Sequence, residues 1–132
     1  MAKVKLGKQL LAICENKIGM LADVCIEVSA VGVNIQAICA YAMENKARFM
    51  LVTDNNQKAK EALQAKGYEI SEQEVVMLEL PNRAGVLKEA ADKLKAKGID
   101  LQYIYGTTCS SERDCLLVLA SNNNAQAIEV LG

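Results

Sequence analysis

Apolar and polar residues follow two different periods along this chain, and each period predicts one kind of element. A short apolar run at residues 8–14, bounded by Gly7 and a polar turn, is typical of a strand buried on both faces. From Met20 the apolar residues recur at spacings of three and four until Gly32, which predicts a helix that ends at a glycine. The predicted inner face of this helix comprises Leu21, Val24, Cys25, Val28 and Val31.

The following residues predict a hairpin, a second helix and a short strand. Residues 33–41 and 47–53 are rich in apolar residues and flank a polar turn, which predicts two hairpin strands. Three polar residues at 54–56 supply N-cap candidates for a helix that runs from about Gln57 to Lys66, before Gly67. Residues 68–71 predict a polar edge strand. The predicted order is therefore strand, helix, strand, strand, helix, strand.

The same pattern returns 66 residues later, which indicates a tandem duplication with units at residues 1–73 and 74–132. Gly19 matches Gly85, and Ile38 matches Ile104. A single gapless shift is expected to extend to three later pairs: Leu51 with Leu117, Val52 with Val118, and Ala59 with Ala125. The first helix of the second unit is predicted to bury one face, which comprises Leu87, Ala90, Ala91 and Leu94.

The second unit is predicted to lack its last strand, because nothing in it corresponds to residues 67–74. In a sheet ordered fourth, first, third, second, the missing strand would leave one edge of strand 75–80 bare, and a bare apolar edge favours aggregation. Three segments are candidates to cover that edge: the N-terminal residues 2–6, a strand of the other unit, or a second chain. We prefer the second chain, which predicts a homodimer.

Composition argues against several functional classes. Lys and Arg number 15 against 16 Asp and Glu, so the net charge of −1 offers no basic field for nucleic acid. No apolar run approaches the ~20 residues of a membrane span, and no secretory leader is evident, so we expect a cytoplasmic protein. Histidine is absent, and five scattered cysteines form no CxxC pair, which argues against structural zinc and a disulfide framework.

An enzyme or metal protein built on Cys109 and Cys115 is the least favoured hypothesis. Ser110, Ser111 and Asp114 are close to these thiols in sequence, but no base or ligand set of suitable spacing accompanies them. We therefore predict no catalytic residue, no metal ligand and no cofactor.

The chain contains two strand–helix–strand–strand–helix–strand units, in which residues 15–21 and 80–87 each join a first strand to a first helix. This arrangement resembles the ACT domain family, and in particular its stand-alone tandem proteins. The resemblance extends to residues 98–105 and covers nearly the whole chain. It implies an α+β fold of two tandem ferredoxin-like βαββαβ units with antiparallel sheets, the second lacking its last strand. It also implies a non-catalytic module that binds a free amino acid where two such units meet.

The resemblance implies a ligand site on the strand-to-helix loops and on the second strand of a neighbouring unit. A helix N-terminus favours an α-carboxylate, glycine permits close approach, and asparagine offers both a donor and an acceptor. The candidate ligand-binding residues are Asn16, Lys17, Ile18, Gly19, Met20, Leu21, Asn82, Arg83, Ala84, Gly85, Val86, Leu87 and Tyr103.

Each candidate also has a structural interpretation that the sequence leaves open. The two asparagines either cap the helix or hold the turn, or they contact ligand, and Gly19 and Gly85 serve either close packing or ligand approach. The cations of the two loops are typical of solvated side chains. Tyr103 and Tyr105 project to one face of a strand, where they either pack or wall a pocket. Glu15 stands where the second unit has Pro81, so the two sites need not bind equally well.

The leading functional hypothesis is an amino-acid-binding regulatory protein that acts on a separately encoded biosynthetic enzyme or transporter. The alternative is a structural interaction module whose ligand sites are vestigial. Branched-chain, aromatic and serine-like ligands all remain open at this point.

Overall fold

The computed structural model describes residues 3–107 and 114–132. Its strands and helices follow one another in the predicted order. The described residues contain six strands and four helices. Their bounds are β1 Lys3–Glu15, α1 Met20–Ala30, β2 Ile35–Met43, β3 Lys46–Thr53, α2 Asn56–Ala65, β4 Glu69–Leu80, α3 Val86–Ala96, β5 Leu101–Thr107, β6 Cys115–Ser121 and α4 Asn124–Leu131.

The chain divides into two compact units, and two strands contribute to both. Unit A comprises Lys8–Gln73, and unit B comprises residues 1–7 together with Glu74–Gly132. Strand β1 gives residues 3–7 to unit B and residues 8–15 to unit A. The strands predicted at residues 68–71 and 75–80 form a single strand, β4, whose halves belong to different units. The strand order is β2-β3-β1-β4 in unit A and β5-β6-β4-β1 in unit B.

The edge of β4 in unit B is covered by the N-terminal segment of this chain, so our preference for a second chain at this edge was wrong. Val4 packs against the core of unit B. A Cβ added at Gly7 would lie 2.5 Å from the Met77 sulfur, which shows how closely this segment lies against β4. Residues 3–7, at the N-terminal end of the sequence, take the place of the missing fourth strand of unit B. The repeat pattern predicts that strand after the last helix, so it does not indicate this segment.

The gapless shift of 66 residues is correct only as far as β5. Strand pairing places Leu51 beside Leu10 and Leu119 beside Val76, and Val76 is the counterpart of Leu10. Leu51 therefore corresponds to Leu119, a shift of 119 − 51 = 68, and not to Leu117. The pairs Val52 with Val118 and Ala59 with Ala125 fail for the same reason, because the chain from Ile104 to Leu119 is two residues longer than the chain from Ile38 to Leu51.

Each unit buries its own core between its helices and one face of its strands. In unit A the buried helical residues include Val24, Val28 and Leu63, which cluster with Leu10 and Phe49 of the strands. The corresponding cluster of unit B contains the residues Val76, Leu78, Leu80, Val86, Ala90, Leu94, Ile99, Leu119, Ala127 and Leu131.

Four predicted core positions lie on the surface. Leu21 is 52% exposed and Leu87 is 50% exposed, although each follows the three-and-four spacing of its helix. Val31 and Ala91, also predicted to face inward, are exposed as well. Helical spacing places these residues beside the buried stripe but does not reveal how far the sheet beneath them extends.

Paired asparagines fix the start of the last helix in each unit. Asn55 caps α2 by accepting the Lys58 N–H at 3.2 Å, and Asn123 caps α4 in the same way. The next asparagine ties the helix to a strand: Asn56 Nδ2 donates to the Lys8 carbonyl oxygen, and Asn124 Nδ2 donates to the Glu74 carbonyl oxygen. These repeated contacts explain why α2 and α4 begin where the sequence predicted N-caps.

Replacing Asn124 by alanine is expected to destabilise the protein by about 1–3 kcal/mol. The substitution removes an oxygen that accepts both the N–H and the hydroxyl of Ser121 at 2.9 Å, and it leaves these donors without that acceptor. Urea denaturation followed by circular dichroism measures the loss. Asn56→Ala should cost a similar amount, because Asn56 makes the same contacts with Thr53. The exposed Gln57→Ala is the control, and an Asn124→Ala midpoint equal to it would contradict the prediction.

Candidate functional site

The loops that precede α1 and α3 have the same backbone geometry in both units. Gly19 and Gly85 occupy the N-cap positions with φ angles of 91° and 86°, in the left-handed region that favours glycine. Neither helix has a side-chain cap, whereas α2 and α4 are both capped by asparagine. The first-turn N–H groups of α1 and α3 therefore lack side-chain acceptors and are suited to an anionic ligand.

The two loop asparagines do not cap these helices, so the cap interpretation of them is wrong, whereas their contacts are consistent with a role in holding the turn. The Asn16 backbone N–H donates to the Asn45 carbonyl oxygen at 3.0 Å, and this bond holds the loop against the β2–β3 turn. Asn82 accepts a 3.6 Å hydrogen bond from the Cys115 thiol through its side-chain oxygen. Asn82 is thus attached to β6, and Asn16 is exposed.

The cations near the second loop are held in ion pairs on the surface of α3. Arg83 donates to Glu89 at 2.9 and 3.4 Å, and these hydrogen bonds, with the charge of the guanidinium, lower the pKa of Glu89. Lys88 lies 2.6 Å from Asp92, and that hydrogen bond and charge raise the pKa of Lys88. In the first loop Lys17 pairs with Glu15 at 3.4 Å. Each cation can still donate to a ligand, but its charge is already partly balanced.

A largely apolar cavity of about 480 Å³ lies beside the second loop, within unit B. It brings together four of the predicted site residues: Arg83, Gly85, Val86 and Leu87. Its remaining lining residues are Leu80, Lys88, Gly106, Cys115 and Leu117. No carboxylate lines this cavity among the described residues.

Tyr103 lies on the face of the sheet opposite this cavity. Tyr103 pairs with Ala120 and Tyr105 pairs with Val118, and these two β6 residues alternate with the core residue Leu119. The two rings stack on each other with centroids 6.4 Å apart. The structure therefore does not bring Tyr103 together with Gly85 within unit B.

The other predicted residues of the two loops are mostly open to solvent. Ile18 is fully exposed at the tip of the first loop, and Ala84, the residue at the same place in the second loop, is exposed too. Met20 is half-buried and packs against the core of unit A, and Val86 is buried in the core of unit B. The residues on the inner side of each loop thus hold its position, while the tip is free to contact a ligand or a second chain.

Each loop also borders a further cavity, one in unit A and one in unit B. The cavity of unit A has a volume of about 410 Å³ and is lined by two lysines, Lys17 and Lys66, and by three carboxylates, Glu15, Asp23 and Glu27. Its counterpart in unit B, of about 370 Å³, replaces two of these with Pro81 and Lys93. The cavity of unit A thus holds more carboxylate side chains than its counterpart, so an α-carboxylate is less favoured on this side of the first loop than on the same side of the second.

Burial also affects the two weakly acidic groups that line the acidic cavity. Removal from water is the main cause that raises the pKa of the Cys14 thiol, and nearby carboxylates add to it while Lys46 opposes it. Burial likewise raises the pKa of Tyr68. Both groups therefore remain neutral at physiological pH, and the Cys14 thiol is a poor nucleophile.

Several residues of the unit B cavity were missed by the sequence analysis. Gly106, Cys115 and Leu117 lie on two strands of a hairpin and reach the loop only through sheet pairing. Cys115 was noted only as part of a thiol pair with Cys109, which lies outside the described residues together with Ser110 and Ser111. A helical or strand period cannot indicate which apolar residues will line a cavity.

Two further features of the described residues bear on function. No group of three or more acidic or thiol side chains is placed to hold a metal ion in residues 3–107 and 114–132. None of the helices in the same part of the chain has the length and apolar character needed to cross a membrane.

The fold and the repeated glycine loops define an ACT-type protein, and the comparison with known families agrees. A model described as the ACT domain pair matches residues 6–131, so the chain belongs to this family. Among curated proteins, none matches the chain significantly.

Solved structures share the arrangement over nearly the whole chain. Protein BT0572 from Bacteroides thetaiotaomicron is 26% identical, with a TM-score of 0.89 over 97% of this chain and 88% of that one. The regulatory subunit of aspartate kinase from Thermus thermophilus is 18% identical, with a TM-score of 0.65 over 97% of this chain and 93% of its own. The corresponding subunit from Thermus flavus is 15% identical, with a TM-score of 0.63, and covers 98% and 94%. The last two similarities concern the fold.

Proposed function

We propose that this chain is a non-catalytic regulatory protein that binds a free amino acid at its glycine loops. Membership of the ACT domain pair family supports a regulatory role. The expected target is a separately encoded biosynthetic enzyme or transporter. The protein itself is expected in the cytoplasm, where binding of the amino acid would change the activity of that target. A ligand shifts such a target only if it binds one state of the protein better than another.

One observation carries this proposal: the uncapped start of α3 lies beside the cavity of unit B. The first-turn N–H groups suit an α-carboxylate, and Gly85 leaves open space where a side chain would otherwise stand, since nothing lies within 4 Å of an added Cβ. The adjoining cavity can receive the remainder of the ligand. The loop is thus suited to the α-carboxylate of an amino acid, and the cavity is suited to its side chain.

We also propose that the protein forms a homodimer. The reason is no longer an uncovered edge of β4 but the exposed apolar surface of two other strands. Strands β2 and β5 are terminal in the strand order, and each carries an isoleucine, Ile38 or Ile104, that is 41% exposed. Leu21 and Leu87 add apolar surface at matching positions of the two units. Pairing of these strands with a second copy would bury this surface and bring a second chain to the glycine loops.

The same exposed surface favours one alternative, a purely structural interaction module with vestigial ligand sites. Its apolar residues would then bind a different protein, and no amino acid would change that binding. The two functions differ in one measurable property, which is the response of the protein to free amino acids.

A panel of the twenty common amino acids is expected to contain at least one that raises the melting midpoint. A ligand that binds only the folded state stabilises it by about 2.7 kcal/mol at a concentration of 100 Kd. For a chain of 132 residues, such a stabilisation raises the midpoint by about 8–15 °C. Differential scanning fluorimetry at millimolar ligand measures it.

Isothermal calorimetry of each positive amino acid is the confirming measurement, and its D-enantiomer is the control, since the loop geometry should reject inverted stereochemistry. If none of the twenty compounds shifts the midpoint or gives a heat of binding, amino-acid sensing is refuted. A stable protein partner recovered in that case, with unchanged affinity in the presence of amino acids, would establish the structural module.

A further inference from the structure

We infer that unit B alone binds the ligand and that the ligand is an amino acid with a branched aliphatic side chain. This inference rests on the proposed function and specifies its site, stoichiometry and ligand class. It follows from a comparison of the cavity in unit B with the same positions of unit A.

Larger side chains stand in unit A where the cavity of unit B opens. The pairing of the strands makes Phe49 the counterpart of Leu117 and Ala40 the counterpart of Gly106. Phe49 is only 4% exposed and belongs to the core cluster against which Met20, the counterpart of Val86, also packs. Three of the lining positions are thus larger in unit A. Four are smaller: Cys14 for Leu80, Lys17 for Arg83, Ala22 for Lys88 and Ala47 for Cys115, so unit A also lacks one of the two cations of this cavity.

Two of the larger side chains of unit A, Phe49 and Met20, are held in place by core packing. Phe49 belongs to the core cluster of unit A and Met20 packs against that cluster, so neither side chain can be displaced without loss of core contacts. In unit B the corresponding Leu117 and Val86 leave space between the strands and the start of α3. The acidic side chains near the first loop of unit A further disfavour a carboxylate there. One ligand per chain is therefore expected.

The lining of the unit B cavity selects the side chain of the ligand. Five of its nine residues, Leu80, Val86, Leu87, Cys115 and Leu117, present apolar groups, and none is a carboxylate that could pair with the ammonium of a lysine ligand. A charged or hydroxylated side chain would lose its hydration here without gaining a full set of hydrogen bonds. An aliphatic side chain has no polar group to desolvate, and its transfer from water into the apolar cavity is favourable.

The polar end of the ligand is accounted for separately. The rim of the cavity holds Gly85 at the uncapped start of α3, with Arg83 and Lys88 beside it. These donors suit a carboxylate, while the open side of the cavity leaves the α-ammonium in water or against a second chain. The volume of about 480 Å³ lies within the range of about 300–1,000 Å³ that small-molecule pockets occupy.

Calorimetry with the full-length protein tests both parts of the inference. Leucine, isoleucine and valine should bind with one site per chain, and threonine, lysine and aspartate should bind at least about tenfold more weakly. Between aliphatic ligands, loss of one methylene should weaken binding by at least about tenfold.

A pair of reciprocal variants locates the site. Leu117→Phe should fill the cavity of unit B as Phe49 does in unit A, and it should weaken the binding of leucine at least tenfold while the protein remains folded. Phe49→Leu is the matched control, because it changes the same position of unit A and should leave the affinity unchanged. Circular dichroism establishes that both variants fold; if Leu117→Phe does not, Leu87→Asp at the exposed rim replaces it, with Leu21→Asp as its control.

The outcomes separate this inference from the function on which it rests. If only polar or charged amino acids bind, or if two sites per chain are measured, the inference is overturned while amino-acid sensing stands. If Leu117→Phe alters the oligomeric mass by light scattering and not the ligand affinity, the cavity holds a second copy and the inference fails. If no amino acid binds at all, both the function and the inference are refuted.

Discussion

A chain that lacks residues 3–7 is expected to lose stability on the order of 3 kcal/mol and to associate at micromolar concentration. The deletion removes the segment that covers β4 in unit B, including Val4 and its packing against that core. It therefore removes buried apolar surface and strand hydrogen bonds together, each a stabilising contribution of about 1–3 kcal/mol. The exposed edge of β4 then presents unpaired backbone groups that bind the edge of another chain.

Urea denaturation and light scattering measure the two effects of the deletion. The double variant Lys3→Ala/Lys5→Ala is the matched control, because it keeps the backbone of the strand and changes only exposed side chains; it should alter the unfolding free energy by less than about 0.5 kcal/mol. A deleted chain with the same midpoint and the same mass as the full chain would show that residues 3–7 are not the structural fourth strand of unit B.

Replacing Gly85 by valine is expected to abolish amino-acid binding and to cost about 1–3 kcal/mol of stability. The φ angle of Gly85 is 86°, a conformation that a β-branched residue adopts only with strain. No atom lies within 4 Å of an added Cβ, so the cost arises from the backbone and not from a steric clash. Relief of the strain changes the loop and moves the first N–H groups of α3 away from the ligand.

Gly19→Val is the matched control for this prediction. Gly19 has a φ angle of 91° and the same open surroundings, so the stability cost should be equal. Affinity for the amino acid, measured by calorimetry, should fall at least tenfold for Gly85→Val and stay unchanged for Gly19→Val if unit B is the binding unit. An equal loss of affinity in both variants would instead indicate that both loops bind ligand.

Much of the fold could be predicted because local pattern and tertiary structure agree in most elements. The three-and-four spacing after Met20 and the asparagine runs before α2 and α4 predicted helices close to their observed bounds. The α+β class and the tandem repeat are confirmed by the ACT domain pair match over residues 6–131. The exposed Leu21 and Leu87 are the main exceptions within the helices, since an apolar residue beside the buried stripe follows the same spacing as one inside it.

The candidate site could be predicted only in part. Gly85 and its neighbours were indicated by the repeated loop, because a glycine at a left-handed N-cap is a local requirement of the backbone. Gly106, Cys115 and Leu117 could not be indicated, because their proximity to that loop depends on the pairing of β6 with β4 and β5. The binding role of all these residues stays a prediction until a ligand is measured.

The sequence by itself determined the elements, their order and their duplication, because helix and strand periods, caps and glycine stops act over a few residues. Only the tertiary structure decided which segment completes unit B, since residues 3–7 and β4 are adjacent in space and about seventy positions apart in the chain. It also decided the register of the repeat, where strand pairing replaced a shift of 66 by one of 68. Contacts between distant segments depend on packing of the whole unit, and local pattern carries no information about them.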